Sequence, residues 1–183
     1  MRKHILRSCA LVLMALVAVA AAWVQQQKAA PAIPDPALID VAAYQKLLAE
    51  QRGKPLWVNF WATWCEPCRD EYPMVNGLAR KYASQGLVVI GVSLDDEGEM
   101  TLVRRFLAHN QPVFRNFRRV PGHEQAFING VNPKWSGAIP ASFFYARDGR
   151  LLKYLVGEHT REEFEAIVRE LLDASRSSAG PQR

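Results

Sequence analysis

Two cysteines three positions apart directly follow a short apolar segment, and this arrangement constrains the chain more than any other feature. The apolar segment is 56–61, and Cys65 and Cys68 belong to the sequence Trp-Cys-Glu-Pro-Cys. The segment predicts a buried strand, and Pro67 suits the first turn of a helix. A helix N-terminus favours a thiolate through its unpaired N–H groups and its partial positive charge. The pattern therefore predicts a redox-active dithiol at a strand-to-helix junction, with Cys65 as the attacking thiol and Cys68 within reach of it.

A structural disulfide and half of a zinc site are the alternative uses of this pair. Zinc usually takes four ligands, and the chain has no second Cys-x-x-Cys and no His-x-x-x-His. A disulfide across two intervening residues closes a small loop and adds little stability. Redox activity is therefore the favoured interpretation.

The first 24 residues predict export. Three basic residues precede an apolar stretch, 8–24, which is typical of a secretory signal, and 20–22 offers an Ala-x-Ala cleavage site. The stretch is also close to the length that spans a bilayer. We expect residues 1–24 to be a cleaved signal peptide or an N-terminal membrane anchor, and both place the body in the periplasm. Cys9 lies in this stretch, so the body holds only the pair Cys65 and Cys68.

The charge of the chain gives no reason to expect nucleic-acid binding. The formal charge of +5 falls to +2 once Arg2, Lys3 and Arg7 of the leader are set aside. A basic cluster interleaved with phenylalanine is interpreted as a solvated loop or strand edge, and a docking site for a partner is the alternative. Its members are Arg115, Arg118 and Arg119.

One domain is expected over 37–174, after a polar and Pro-rich linker at 25–36 and before a flexible tail at 175–183. Hydrophobic periodicity predicts helices that begin after Asp40, at Cys65, at Glu97 and after Thr160. Strands are expected at 56–61, 87–94, 142–146 and 151–156, the last two joined by an Asp148-Gly149 hairpin. A kink is expected at Pro73. Segment 111–137 is expected to hold a short strand, a short helix near 123–127 and a loop with Trp135.

This order of elements predicts an α/β domain with a mixed central sheet flanked by helices. The chain resembles the thioredoxin superfamily, and within it the exported TlpA/ResA/CcmG group of thiol–disulfide oxidoreductases. Segments 58–73 and 137–143 and the Asp148-Gly149 hairpin carry this resemblance, which covers 37–174. It implies a thioredoxin fold with an insertion, 111–137, before a cis-proline.

The resemblance also implies a substrate surface. Pro140 matches the cis-proline of the family, which faces the disulfide and presents the backbone of Ile139 to an extended peptide. A plain trans proline is the alternative. The residues expected to contact substrate are Trp64, Glu66, Pro67, Ile139 and Pro140. Trp135 is expected either to line this groove or to pack in the core.

Glu71 matches the acidic residue that this group places behind the active-site helix. It lies three residues after Cys68, so a helix brings both onto one face. A buried carboxyl there could exchange a proton with Cys68, and burial should raise its pKa toward neutrality. Asn59 stands where cytoplasmic thioredoxins carry a buried Asp. An exposed helical Glu71 without a role in catalysis is the alternative.

The sequence thus predicts an exported thiol–disulfide oxidoreductase that reduces protein disulfides, with cytochrome c maturation as the candidate pathway. Its expected partners are protein dithiols and disulfides and a membrane thiol-redox relay protein. No cofactor is implied other than the Cys65–Cys68 disulfide itself: no metal, nucleotide or flavin. A copper-binding module on the same fold is the rival, because thiolate pairs select Cu(I) and His109, His123 and His159 could add a ligand. A peroxidase is disfavoured because no Pro-x-x-x-Thr-x-x-Cys leads to either cysteine.

Overall fold

A mixed sheet runs through the part of the chain that the computed structural model describes, residues 34–177. Within it the sheet has six strands in the order β1-β4-β3-β2-β5-β6. They are β1 (Ala37–Ile39), β2 (Leu56–Trp61), β3 (Val88–Ser93), β4 (Arg115–Arg119), β5 (Ala141–Tyr145) and β6 (Leu151–Val156). The first four run parallel, whereas β5 is antiparallel to both β2 and β6. The predicted mixed sheet is confirmed, and β1 is the strand that the sequence pattern did not reveal.

Helices cover both faces of this sheet. They are α1 (Val41–Glu50), α2 (Glu66–Tyr82), α3 (Met100–Asn110), α4 (Glu124–Val131) and α5 (Arg161–Ser177), with short 3-10 turns at Ala83–Gln85 and Glu97–Glu99. The predicted caps are present. The carboxylate of Asp40 accepts the Ala43 N–H at 2.7 Å, and Thr160 forms a reciprocal capping box with Glu163. Helix α2 continues through Pro73.

The side chains of successive strand residues point alternately to the two faces of the sheet, and each face has its own hydrophobic core. Val58 and Phe60 of β2 point into the core beneath α1 and α4. Trp57 and Trp61 point to the opposite face, where α2, α3 and α5 pack. The indole of Trp57 stacks between the rings of Phe144 and Phe164, with centroid distances of 5.3 and 5.1 Å. This stacking fixes β2, the strand that leads to the dithiol, against β5 and α5.

Segment 111–137 holds β4 and α4, in agreement with the expected short strand and short helix. The loop after α4 carries Trp135, which is buried and packs at 4.7 Å from the ring of Phe60. Its indole N–H donates to the carbonyl of Ala138 at 2.9 Å. Of the two expectations for this tryptophan, core packing is the correct one.

The interpretation of the arginine cluster as a solvated edge is wrong for two of its members. Arg118 and Arg119 are buried, because β1 pairs with β4 and makes it an interior strand. Each guanidinium pairs with at least one carboxylate at the rim, and Nε and Nη1 of Arg118 have no hydrogen-bond partner among the described residues. The acidic partners are Glu97 for Arg118, and Asp96 and Glu124 for Arg119.

The β5–β6 connection is the predicted hairpin, with Gly149 at φ +85° and the Asp148 side chain accepting the Arg150 N–H at 2.9 Å. Helix α5 extends to Ser177, so the first three residues of the expected tail are helical. The leader predicted over 1–24 and most of the linker over 25–36 lie outside the described residues. Among the helices within 34–177, none has the length and apolar character needed to cross a membrane.

Candidate dithiol site

Cys65 and Cys68 form a disulfide at the N-terminus of α2, with their Cα atoms 5.3 Å apart. Cys65 is the N-cap residue, and its Sγ accepts the backbone N–H of Cys68 at 3.3 Å. Pro67 lies in the first turn of α2, where its missing N–H leaves no hydrogen bond unmade. The same N–H that contacts Sγ here would stabilise a Cys65 thiolate, as would the helix dipole. The predicted strand-to-helix placement of the dithiol is confirmed.

Both sulfur atoms are largely shielded, since Cys65 is 6% exposed and Cys68 2%. They belong to an apolar cluster with α2 and α3, and Ile139 packs against it. The other members are Trp61, Ala62, Tyr72, Met100, Val103 and Leu107. Next to this shielded pair, Trp64 is 57% exposed and Glu66 is also exposed, whereas Pro67 is half-buried. The exposed surface next to the disulfide is therefore formed mainly by Trp64 and Glu66, and not by the cysteines themselves.

The Ile139–Pro140 peptide bond is cis, in agreement with the sequence expectation. Pro140 is buried and its carbonyl accepts the Gly157 N–H at 2.9 Å, which ties the start of β5 to the end of β6. Ile139 is half-buried and packs against the apolar cluster of the disulfide as well as against the core beneath α1. The structure thus brings the dithiol and the cis-proline loop together.

Glu71 is not the exposed helical residue that the alternative required, since it is only 7% exposed. Its Oε1 accepts one hydrogen bond, from Nδ2 of Asn59 at 3.2 Å, and its buried Oε2 has no partner among the described residues. Burial raises the pKa of Glu71 to about 7, the Asn59 hydrogen bond opposes the rise, and the charge of Glu158 adds to it. A carboxyl with such a pKa can accept or donate a proton near neutral pH.

Asn59 connects Glu71 to the central strands. Its Nδ2 also donates to Oγ of Ser142 at 3.3 Å, and that oxygen accepts the Trp57 indole N–H at 2.8 Å. Asn59 and Ser142 are opposite each other in the β2–β5 pairing. An amide at this position supplies a hydrogen bond but no titratable proton, so Glu71 is the group of this network that titrates near pH 7.

The sequence analysis assigned no role to two residues beside the dithiol, Thr63 and Asp95. Thr63 precedes Trp64 and Cys65, and its N–H and hydroxyl both donate to the buried carboxylate of Asp95. The register could have revealed this contact, because Trp61 is paired with Ser93 across the parallel strands. Thr63 and Asp95 each lie two residues beyond that pair, at the edge where the carboxyl ends of parallel strands meet.

The histidines are not gathered at the cysteines. His159 lies with Nδ1 3.4 Å from a carboxylate oxygen of Glu163, and His123 is the N-cap residue of α4. Among residues 34–177, no three His, Cys, Asp or Glu side chains are grouped as a metal site would need. The copper-binding alternative therefore gains no support from the described part of the chain.

Comparison with known proteins agrees with this site. A model of the AhpC/TSA family matches residues 28–154. The thiol-disulfide oxidoreductase ResA of Bacillus thuringiensis is 30% identical over 140 residues, which are 75% of this chain and 75% of ResA. The crystal structure of a thiol:disulfide interchange protein of the thioredoxin family from Chlorobium tepidum superposes with a TM-score of 0.59 and 26% identity. The superposition covers 78% of this chain and 99% of the Chlorobium tepidum protein.

A secreted disulfide oxidoreductase of Mycobacterium tuberculosis, homologous to DsbE of E. coli, has the same fold with a TM-score of 0.55. The two sequences are 21% identical, and the superposition covers 67% of this chain and 86% of the Mycobacterium tuberculosis protein. The family model matches well over half of the chain, and the similarity to ResA extends over three quarters of it. This chain therefore belongs to the AhpC/TSA family of the thioredoxin superfamily and is a thiol–disulfide oxidoreductase.

Proposed function

We propose that the chain is an exported reductase of protein disulfides, in which Cys65 attacks the substrate and Cys68 resolves the mixed disulfide. The observation that carries this proposal is the position of Cys65, whose Sγ lies at the N-cap of α2 and accepts the Cys68 N–H. Only the thiolate is nucleophilic, and this position favours the thiolate of Cys65 over that of Cys68. The limited exposure of Cys68 agrees with a thiol that meets only its neighbour.

The exchange proceeds in two balanced steps. The Cys65 thiolate attacks one sulfur of the substrate disulfide, forms a new S–S bond with it and releases the other sulfur as a thiolate. The Cys68 thiolate then attacks Sγ of Cys65, which closes the Cys65–Cys68 disulfide and releases the second substrate thiolate. Two electrons pass from the enzyme dithiol to the substrate. Of the two protons that the released substrate thiolates take up, one originates on Cys68 and the other comes from the solvent.

Glu71 is the proposed acceptor of the Cys68 proton. It is buried on α2, three residues after Cys68, and its pKa of about 7 allows it to take a proton at neutral pH and to return it afterwards. The partnerless Oε2 gives it a free acceptor position. Because Glu71 follows Cys68 by three residues on the same helix, the titrations of Glu71 and of the two thiols in the reduced enzyme should be coupled.

The proposed substrate surface consists of the residues on either side of the disulfide. The exposed indole of Trp64 offers apolar contact area, and Ile139, two residues before β5, would present its backbone to an extended peptide. Glu66, Pro67 and Pro140 complete this surface.

The reducing direction, the compartment and the pathway also belong to the proposal. The basic and apolar residues 1–24 support export to the periplasm, either free or tethered by this segment. A periplasmic reductase needs electrons from a membrane thiol-redox relay protein, because that compartment is oxidising. The resemblance to the TlpA/ResA/CcmG group supports apocytochrome c as a substrate. The charge of Glu66 beside Cys65 disfavours the strongly stabilised thiolate of an oxidase.

Trapping of the mixed disulfide tests the assignment of the two cysteines. A Cys68→Ala variant in the exporting cell should accumulate a covalent adduct with its substrate, which mass spectrometry identifies. The double variant Cys65→Ser/Cys68→Ala is the control and should trap nothing. An adduct in the double variant, or full exchange activity in Cys65→Ser, would refute Cys65 as the nucleophile. Equilibration with glutathione buffers tests the direction of electron flow. We expect the reduction potential of the Cys65–Cys68 couple to lie nearer the ~−270 mV of thioredoxin than the ~−120 mV of a strong oxidase.

A further inference from the structure

The backbone N–H, the backbone carbonyl and the side-chain hydroxyl of Thr63 all have hydrogen-bond partners. Its N–H donates to Oδ1 and Oδ2 of Asp95 at 3.0 and 3.1 Å, and its hydroxyl donates to Oδ1 at 2.5 Å. Its carbonyl accepts Nη1 of Arg69 at 2.8 Å. Thr63 is thus held from β3 on one side and from the second turn of α2 on the other.

The side chain of Asp95 acts only as a hydrogen-bond acceptor, and each of its contacts comes from an N–H or O–H donor. It is fully buried, at 0% exposure, and besides Thr63 it accepts the hydroxyl of Ser93 at 2.6 Å. The Asp95 N–H in turn donates to that same hydroxyl oxygen at 3.1 Å. A buried carboxylate needs several donors to offset its desolvation, and here it has them. An amide in this place would turn its NH₂ group toward a donor.

The segment held in this way leads directly to the attacking sulfur. The Cys65 N–H donates to the Ala62 carbonyl at 3.3 Å, so 62–65 forms one tight turn between the end of β2 and the start of α2. Thr63 lies inside this turn. Its fixation restricts the backbone from which the side chain of Cys65 projects.

We propose that Asp95 and Arg69 are positioning residues that fix the turn 62–65 and thereby hold Cys65 against the N-terminus of α2 in the reduced enzyme. The proposal rests on the assignment of Cys65 as the attacking thiol. Reduction removes the covalent link between Cys65 and Cys68, and the geometry of the turn then depends on its non-covalent contacts, among them those of Thr63 with Asp95 and Arg69. A fixed turn raises the effective concentration of one thiol toward the other, as preorganisation does in other intramolecular reactions.

Two measurable properties follow from this role. Oxidation by glutathione disulfide forms the Cys65–Cys68 bond and releases two molecules of reduced glutathione, so its equilibrium constant reports the effective concentration of the dithiol. The pKa of the Cys65 thiol reports its distance from the helix N-terminus. A loosened turn should lower the equilibrium constant for oxidation by glutathione disulfide and raise the pKa of the Cys65 thiol.

The sign of the thiol pKa change separates positioning from simple electrostatics. Asp95→Asn removes a negative charge near Cys65, and that loss alone would lower the pKa of the thiol. Loss of the anchored turn would raise it. Asp96→Asn is the charge-matched control, because Asp96 is exposed, pairs with Arg119 and has no contact with Thr63 among the described residues.

The test uses the full-length chain, with parent, Asp95→Asn, Asp96→Asn and Thr63→Val compared. Thr63→Val removes the hydroxyl contact but keeps the charge and the backbone N–H. Rates of iodoacetamide modification, followed at the Cys65 peptide by mass spectrometry across pH, give the thiol pKa. We expect Asp95→Asn to lower the glutathione equilibrium constant about tenfold, which makes the potential about 30 mV less negative. Thr63→Val should act in the same direction by less, and Asp96→Asn should resemble the parent.

A lower melting temperature with an unchanged equilibrium constant and thiol pKa would make the contact merely structural and overturn the proposal. A fall in the thiol pKa of Asp95→Asn would overturn it in favour of a charge effect. If Asp95→Asn does not fold, Thr63→Val and Arg69→Met decide, because each removes one contact and leaves the carboxylate in place. A parent enzyme that shows no exchange would refute the assignment of Cys65 itself, before any variant is compared.

Discussion

Two buried carboxyl groups flank the same disulfide, and their surroundings are opposite. Asp95, beyond the end of β3, accepts donors from Thr63 and Ser93 on both of its oxygens. Glu71, on the helix behind the cysteines, accepts a single hydrogen bond from Asn59, and its Oε2 has no partner among the described residues. A carboxylate whose two oxygens both accept hydrogen bonds is suited to hold its neighbours in place, whereas one with an open oxygen is suited to take up a proton.

The energetic consequence differs in the same way. The desolvation of Asp95 is offset by charge-assisted hydrogen bonds that also satisfy the donors around it. The desolvation of Glu71 is not offset, so burial raises its pKa to about 7. Asp95 therefore contributes to the stability of the fold, whereas the ionised form of Glu71 destabilises it. This difference is expected when Glu71 is the group that exchanges protons.

Truncation to alanine should give the largest contrast between the two carboxyls. Asp95→Ala leaves the Thr63 N–H, the Thr63 hydroxyl and the Ser93 hydroxyl without their buried acceptor, at about 1–3 kcal/mol for each group. We expect it to lower the free energy of unfolding by about 3 kcal/mol or more. Glu71→Ala removes a carboxyl that is itself costly to bury, so it should lose less than about 2 kcal/mol through the cavity alone. Urea denaturation of the oxidised proteins at pH 7 measures both, and equal losses would contradict the comparison.

The pH dependence of stability should identify Glu71. Its carboxyl has a pKa of about 7 in the folded protein against 4.5 when unperturbed. Between these values the folded state holds one proton more than the unfolded state, so the free energy of unfolding falls as the pH rises. Glu71→Gln cannot lose this proton and should be more stable than the parent above pH 7, by up to about 3 kcal/mol. The two should converge below pH 4.5, as denaturation midpoints across pH would show.

Asp70→Asn is the matched control, because Asp70 is the exposed neighbour on the same helix. It should follow the parent at every pH. The pH–rate profile of disulfide exchange should also change in Glu71→Gln, with a slower resolving step and little effect on substrate binding. A profile that overlays the parent would mean that the Cys68 proton passes directly to water.

The sequence predicted Glu71 but not Asp95, and the reason is physical. Glu71 is related to Cys68 by helical spacing, which is a local property that any chain shows directly. Asp95 is related to Thr63 by the register of two parallel strands, which depends on how the whole sheet assembles. The same limit explains Arg118, because its burial depends on β1, a strand too short for a periodic pattern. Strand β2 and the hairpin at Asp148 carry their signals locally and were predicted correctly.

The smallest expected effect concerns Glu158, which lies just beyond β6, next to the Gly157 N–H that binds the Pro140 carbonyl. Its charge adds to the rise in the pKa of Glu71, after burial as the main cause. Glu158 is exposed, so solvent screens this repulsion, and Glu158→Gln should lower the pKa of Glu71 by less than about one unit. The difference from the parent should vanish at about 1 M salt, where the Debye length is about 3 Å. Carbon NMR titration of the Glu71 carboxyl in parent and variant, at low and high salt, measures both effects. A pKa that returns to 4.5 in the variant would show that repulsion, and not burial, keeps Glu71 protonated, and the contrast with Asp95 would then rest on a surface charge.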